Sequence, residues 1–314
     1  MVRQDLEAGR IRTGAVIERQ AAEAMEEIRE RHPTTRPKLK VADMNKPICV
    51  RLPAGICSRF IRLSFITLVG AAAASLPALA QDAIAPDADK ILAALTDNLK
   101  AQPMLSADYD ADHEIINLEG QKIEYSASGS IALERGKGFR LTRRGPFADV
   151  ELTFDGKTIS LYGKAMNVYA QMESPGGPSV EEAVEELRAS TGLDAPGADL
   201  IASDPYAVLT DGVTEGFVVG SAFVGDVECD HLAFRTDIVD WQIWISRGDN
   251  PLPLKYVITT KWVTGAPEYS LRLSNWKTEG VDASRFAFTP PAGARKLDQV
   301  HADITGELSL EAGE

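Results

Sequence analysis

The residues best placed to do chemistry stand side by side: Cys229, Asp230 and His231, in the stretch VECDHLAFR over Val227–Arg235. A cysteine nucleophile needs a histidine within hydrogen-bond reach to form its thiolate. On an extended strand, positions 229 and 231 share a face about 7 Å apart. That spacing permits a loose pairing and builds no triad, because no third residue clearly orients His231. In the other reading Cys229 is a small buried hydrophobe and His231 an edge or lining residue. We favour the second, and expect no catalytic residues.

Metal binding has less support. His113, His231 and His301 are scattered, and a three-ligand site needs convergence that their spacing does not show. The Gly-Lys-Gly at 136–138 falls in a hairpin turn and not at a strand-to-helix junction, so it is no phosphate loop. No Gly-x-Ser-x-Gly elbow occurs. No metal and no cofactor are therefore expected. Arg140, Arg143 and Arg144 form the one basic cluster. They could dock an acidic partner or headgroup, or decorate a solvated strand edge and discourage association there; the edge is the preferred reading.

The strongest chemical signal is apolar. In the stretch from Val213 to Trp262, three or four apolar-aromatic runs are broken by turn-like residues at 224–226, 236–237 and 248–251. This is an antiparallel meander. Its residues Phe217, Val219, Phe223, Leu232, Phe234, Trp241, Ile243, Ile245, Tyr256, Ile258 and Trp262 exceed what one solvated face needs. They form either an ordinary core against helices or the lining of a cavity for an acyl chain. The expected ligand-binding set is Phe217, Val219, Phe223, Leu232, Phe234, Trp241, Ile243, Tyr256 and Trp262.

The elements that must position this face read as follows. Pro86 and Asp87 open a helix whose Ile91, Leu92, Leu95 and Leu99 share one side, ending near Gln102-Pro103. Strands follow over 105–118, 122–134, 139–144, 149–154, 158–162 and 167–172, with Asp155-Gly156 a strong hairpin signal. The period then changes. Ser179 caps a helix running to about Ser190, and 194–209 holds one or two short helices. After the meander come a strand over 268–279, a turn at 282–286 and a short last strand ending at Pro290-Pro291. The expected class is α+β: a large curved antiparallel sheet of ten or eleven strands with helices covering its concave face. Residues 179–209 are the candidate lid.

Upstream of this domain the text is different. Lys46, Arg51, Arg59 and Arg62 precede a charge-free run from Leu63 to Leu76, and Ala78-Leu79-Ala80 offers a cleavage site. This reads as a signal peptide over 44–80, too short for a spanning helix of about 20 residues. Cys57 lies before the apolar run, the wrong order for a lipid anchor. Residues 1–43 read as an upstream extension or leader, and 299–314 as an acidic flexible tail. The whole chain carries 33 Lys+Arg and 46 Asp+Glu. The residues through Ala80 hold 13 and 8 of these, so 20 and 38 remain and the net charge is −18. Such a surface repels nucleic acid and anionic membranes. Cys229 alone remains of the three cysteines, which excludes an internal disulfide.

Several motifs carry a resemblance. They are Ala202-Ser203-Asp204-Pro205-Tyr206, Gly225 to Arg235 (GDVECDHLAFR), Asp240 to Ile245 (DWQIWI) and Phe288 to Ala294 (FTPPAGA). From about Ala88 to Leu297 the chain resembles a set of predicted periplasmic proteins, the domain-of-unknown-function family 2092. The element order is also similar to the lipoprotein carriers typified by LolA, with LolB and LppX. That likeness implies an incomplete barrel around a hydrophobic cavity beneath helical lids, and it carries no catalytic residues. The expected function is a periplasmic binding or carrier protein for a lipid, acyl chain or lipidated partner, with no membrane anchor in the mature form. An envelope protein-interaction module with a filled core is the alternative, and a thiol enzyme using Cys229 and His231 comes third.

Overall fold

The computed structural model describes residues 83–298 apart from breaks at 118, 147–148, 175–176, 178 and 192–194, together with the backbone of 301–302 and 308–309. Every described residue belongs to one compact unit within 75–314. The expected signal peptide and the segment before it lie outside the described residues.

Helix α1 spans Pro86–Ala101. Proline in its first turn costs no hydrogen bond, and Asp87 and Asp89 there oppose the helix dipole as Lys100 does in the last turn. Six strands follow: β1 Met104–Ile116, β2 Lys122–Glu134, β3 Gly138–Arg144, β4 Asp149–Phe154, β5 Thr158–Gly163 and β6 Val168–Glu173. Gly156 takes the positive φ of 90° that the β4–β5 turn demands. Helix α2 covers Val180–Thr191, with Ser179 Oγ accepting from the Glu182 amide. A 3-10 turn at Ala198–Ile201 and helix α3 at Pro205–Thr210 complete the insert. The meander is β7 Glu215–Val224, β8 Val227–Arg235, β9 Val239–Ser246 and β10 Pro253–Thr260, followed by β11 Glu268–Lys277. A second 3-10 turn, Ala283–Phe286, leads to β12, Arg295–Lys296.

These strands make one open sheet of twelve, in the order β12-β6-β5-β4-β3-β2-β1-β11-β10-β9-β8-β7. The protein is mostly β, with more strands than the ten or eleven expected. The sheet is also not purely antiparallel, since β12 runs parallel to β6. No strand forms before Pro290-Pro291. Two consecutive residues without N–H donors cannot extend a ladder. The chain pairs only after them, with Leu297 N–H donating to the Tyr169 carbonyl at 2.7 Å. Trp262 also falls outside the sheet, two residues beyond the end of β10. In the stretch expected as a tail, β13 (His301–Ala302) and β14 (Leu308–Ser309) form a two-residue antiparallel pair.

The two meanders join where β1 pairs with β11, placing Tyr109 opposite Leu273 and His113 opposite Tyr269. One face of the sheet carries two buried apolar clusters. The first packs Leu92, Leu95 and Leu99 of α1 on Leu232, Phe234, Trp241, Ile243 and Tyr256 of β8–β10. The second packs Val180, Ala183 and Leu187 of α2 on Phe139, Leu152, Phe154 and Leu161 of β3–β5. So α1 covers the meander, and the expected lid helix α2 covers the other half of the sheet. Ile131 and Leu141 touch both clusters.

Arg135, in the β2–β3 turn, ties these pieces together. Its guanidinium donates to the carbonyls of Leu99 at 3.0 Å and Gln102 at 3.2 Å at the end of α1. It also donates to those of Ile201 at 3.2 Å and Ala202 at 2.9 Å at the end of the 3-10 turn. Carbonyls at helix ends lack internal partners, and a cation there meets both the hydrogen-bond and the dipole requirement. Arg135→Met is expected to lower stability by about 2 kcal/mol, the scale of hydrogen bonds to a charged group. In urea titrations it shifts the midpoint down, and amide exchange rises first at 198–202 and at the end of α1.

Candidate functional site

A cavity of about 380 Å³ lies where the two clusters meet. Its sheet wall comes from residues of β1 to β5, β10 and β11, most of which share one face because strand side chains alternate. Phe139, Leu141, Val150, Leu152 and Leu161 form one side, and Ile258, Leu271 and Leu273 the other. The roof is the insert: Val180, Val184 and Leu187 of α2, then Ala195 to Ala198, Leu200 and Ile201. Gly197 makes this roof possible. It holds φ at 90° before the 3-10 turn, and a Cβ there would sit 2.8 Å from Leu271 Cδ2. The volume falls within the roughly 300–1,000 Å³ of small-molecule pockets.

The floor contains a crossing. Tyr109 lies over Gly129, its partner on β2, and donates its hydroxyl to the Thr142 carbonyl at 2.9 Å. A Cβ on Gly129 would meet that carbonyl oxygen at 1.9 Å and the Tyr109 ring at 2.7 Å. Only glycine lets the phenol cross here. Polar groups gather at the same end of the cavity: Tyr109, Arg143, His113, Thr260 and Tyr269. His113 and Tyr269 meet edge to face at 6.1 Å.

The nine residues expected to bind ligand lie elsewhere. Leu232, Phe234, Trp241, Ile243 and Tyr256 are packed solid under α1, with Phe234 and Trp241 stacked at 4.0 Å. Phe217, Val219 and Phe223 are exposed on β7, and Trp262 is 61% exposed in the loop after β10. None of the nine lines this cavity. Of the meander's aromatic residues, Phe234, Trp241 and Tyr256 go to core, while Phe217, Phe223 and Trp262 face solvent. The cavity uses apolar positions of the first strand block, whose period-two pattern (Phe139, Leu141; Val150, Leu152) was the available signal.

The basic cluster divides by strand parity. Arg140 faces away from the cavity and grips Glu151 through two bonds of 2.7 and 2.8 Å. Burial alone would raise the Glu151 carboxyl, but Arg140, with Lys164, holds it below its usual value. Arg144 is exposed beside Asp149. Arg143 alone enters the cavity wall.

Cys229 and His231 pair across to Ser246 and Trp244, on the side of the sheet opposite Leu232 and Phe234. Burial pushes the Cys229 thiol up, and Asp230 adds to the shift. His231 stacks on Trp244 at 4.0 Å and shares a 2.9 Å hydrogen bond between Nε2 and Gln242 Oε1. Lys255 Nζ sits 4.7 Å from the Trp244 ring centre. Burial holds the imidazole below its usual value, despite Gln242. A thiol held protonated and a histidine tied into an aromatic ladder make a poor nucleophile pair. Among the described residues, no three His, Cys, Asp or Glu side chains are grouped to hold a metal.

One carboxylate belongs to the 3-10 turn of the insert without lining the cavity. Asp199 accepts from the Tyr256 hydroxyl at 3.5 Å. Burial raises the Asp199 carboxyl, although Tyr256 and Arg188 act against it. Burial and the same aspartate push the Tyr256 phenol well above its ordinary value.

Residues 88–299 match the family described as "Predicted periplasmic protein (DUF2092)", and the chain belongs to it. No curated protein matches the chain. Among solved structures it is similar to an uncharacterized conserved protein from Thermus thermophilus, with 12% identity, a TM-score of 0.41, and coverage of 68% of this chain and 99% of that one. The lipoprotein LppX of Mycobacterium tuberculosis gives 13% identity and a TM-score of 0.37, over 63% of this chain and 98% of its own. A LolA superfamily protein of Nitrosomonas europaea gives 8% and 0.32, over 64% and 97%. The expected kinship with family 2092 holds, and LppX and LolA-type proteins are among the similar structures.

Two measurements check the electrostatics. A carboxyl with a raised folded pKa contributes fully to stability below its unfolded value, and that contribution is lost as pH rises through the folded value. Asp199→Asn removes the cost of the buried charge. It is expected to raise the unfolding temperature by about 2–4 °C at pH 7, the shift of roughly 1 kcal/mol in a domain this size. The gain shrinks as pH falls toward 3.8, the ordinary aspartate value. Cys229 is expected to resist iodoacetamide in the native protein at pH 8 and to react readily in urea, read by mass spectrometry.

Proposed function

We propose that the protein is a non-enzymatic periplasmic binding or carrier protein that holds a hydrophobic ligand between its sheet and the 179–209 insert. One observation carries this reading: the two apolar clusters leave an apolar cavity of about 380 Å³ between them, roofed by a separate segment. Family membership supports the compartment, and the basic, apolar, small-residue order over 44–80 supports export. In this reading the sheet curves as an incomplete barrel. The packed set Leu232, Phe234, Trp241, Ile243 and Tyr256 then serves as the rigid wall beneath α1 against which the insert closes. Each methylene transferred into the cavity contributes about 0.8 kcal/mol, so a single chain supplies useful affinity.

Native mass spectrometry of gently purified protein, with uptake of a fluorescent fatty acid, tests the reading. Bound ligand or saturable uptake is expected. Val184→Trp, which projects a larger side chain into the roof, is expected to weaken uptake about tenfold or more with the fold intact by circular dichroism. A protein that is consistently empty and takes up no probe contradicts the proposal.

A second reading is favoured by strand β7. It is an edge strand with Phe217, Val219 and Phe223 exposed, and among the described residues a bridge from Ile84 to Gly216 covers its start. Long apolar edges pair readily with other chains. A stoichiometric envelope partner that is lost on Phe223→Lys would favour this role.

A further inference from the structure

We propose that the cavity selects a single-chain amphiphile with an anionic headgroup, and that Arg143 is the residue that reads the headgroup. This rests on the carrier reading above and adds to it a chemical class and an orientation. Among the described residues lining the cavity, Arg143 is the only one with a formal charge, and no carboxylate is among them. A cation in that position is notable in a chain with 46 acidic and 33 basic residues.

The placement follows from strand register. Arg143 is opposite Gly129, and Gly129 is opposite Tyr109. His113 stands four residues further along the same face of β1 and pairs with Tyr269. Thr260 ends β10 at the same end of the sheet. At the end of β3 the guanidinium folds over Gly145 beside Ala127. A Cβ on Gly145 would be 3.0 Å from Arg143 Nη1 and 3.3 Å from Ala127 Cβ. The side chain therefore lies along the sheet, on the cavity side.

Burial gives the direction. Arg143, His113, Thr260 and Tyr269 are half-buried, whereas Phe139, Leu152, Leu161, Leu187 and Leu200 are buried. The polar groups thus mark the end nearer solvent, and the more deeply buried apolar residues lie toward α2. An amphiphile enters with its chain toward α2 and its headgroup among Arg143, Tyr109, His113 and Tyr269. All four already have interactions within the protein, and the headgroup adds to these or exchanges with them. The planar guanidinium fits the two oxygens of a carboxylate or phosphate. The volume is at the small end for ligand pockets, which suits one chain better than a multi-chain lipid.

The test is displacement of a fluorescent fatty acid by four probes of equal chain length: dodecanoate, dodecyl phosphate, dodecanol and dodecyltrimethylammonium. Acetate and inorganic phosphate serve as free anions. Wild-type protein is expected to bind one or both anionic amphiphiles about tenfold or more tightly than the alcohol and the cation. The free anions are expected not to compete. Arg143→Gln removes the preference and leaves dodecanol affinity unchanged, which also reports that the cavity is intact. Arg143→Lys keeps part of the preference. Equal binding of acid and alcohol, or an unchanged preference in Arg143→Gln, overturns the headgroup assignment and leaves the carrier reading standing. Displacement by acetate or phosphate alone overturns it in favour of a small-anion site. Failure of all four amphiphiles, and of the fluorescent probe itself, removes both.

Discussion

One guanidinium ties the segments above the sheet to one another. Helix α1 and the 3-10 turn of the insert both end with carbonyls directed at the β2–β3 turn, and Arg135 answers four of them at once. Neither segment could satisfy those oxygens internally. The two roofs of the sheet are thereby tied at their ends to the same strand turn, while their flanks pack on different halves. This arrangement leaves room between the two apolar clusters.

Much of the architecture was legible because the local signals were strong and agreed with one another. The bounds of β2 and β4, the helix from Pro86, the Asp155-Gly156 hairpin and the period change at Ser179 all stand where alternation, capping residues and turn chemistry place them. What escaped was long-range. Nothing in the text near Met104 says that β1 lies beside β11. Likewise, Arg295 and Lys296 bear no mark of parallel pairing with Val168 and Tyr169. Such pairings are decided by which faces remain to be buried once the hairpins have formed.

The site was less legible, for a related reason. Sequence reports that a side chain faces inward but not whether anything fills the space in front of it. Trp241 and Leu152 carry the same inward signal, yet the first meets α1 and the second borders a cavity. The arginine cluster shows the same limit. Arg140, Arg143 and Arg144 look alike as a run, and parity along β3 sends Arg143 to the cavity wall and the other two to the opposite face, Arg140 onto Glu151 and the exposed Arg144 beside Asp149. Cys229 and His231 share a face as their spacing requires, but burial and the Trp244 stack decide what they can do.

Parallel β12 has a further consequence. It closes the edge of β6 with residues 295 and 296, while β1 waits for β11 from the far side of the insert. A newly made chain can therefore zip up its hairpins as they emerge, but it cannot assemble the sheet until the last strands are available. Contacts of such sequence separation fold slowly. Both closing pairings reach across the insert, so a chain shortened from its C-terminal side would leave β1 and β6 with open edges at the same time.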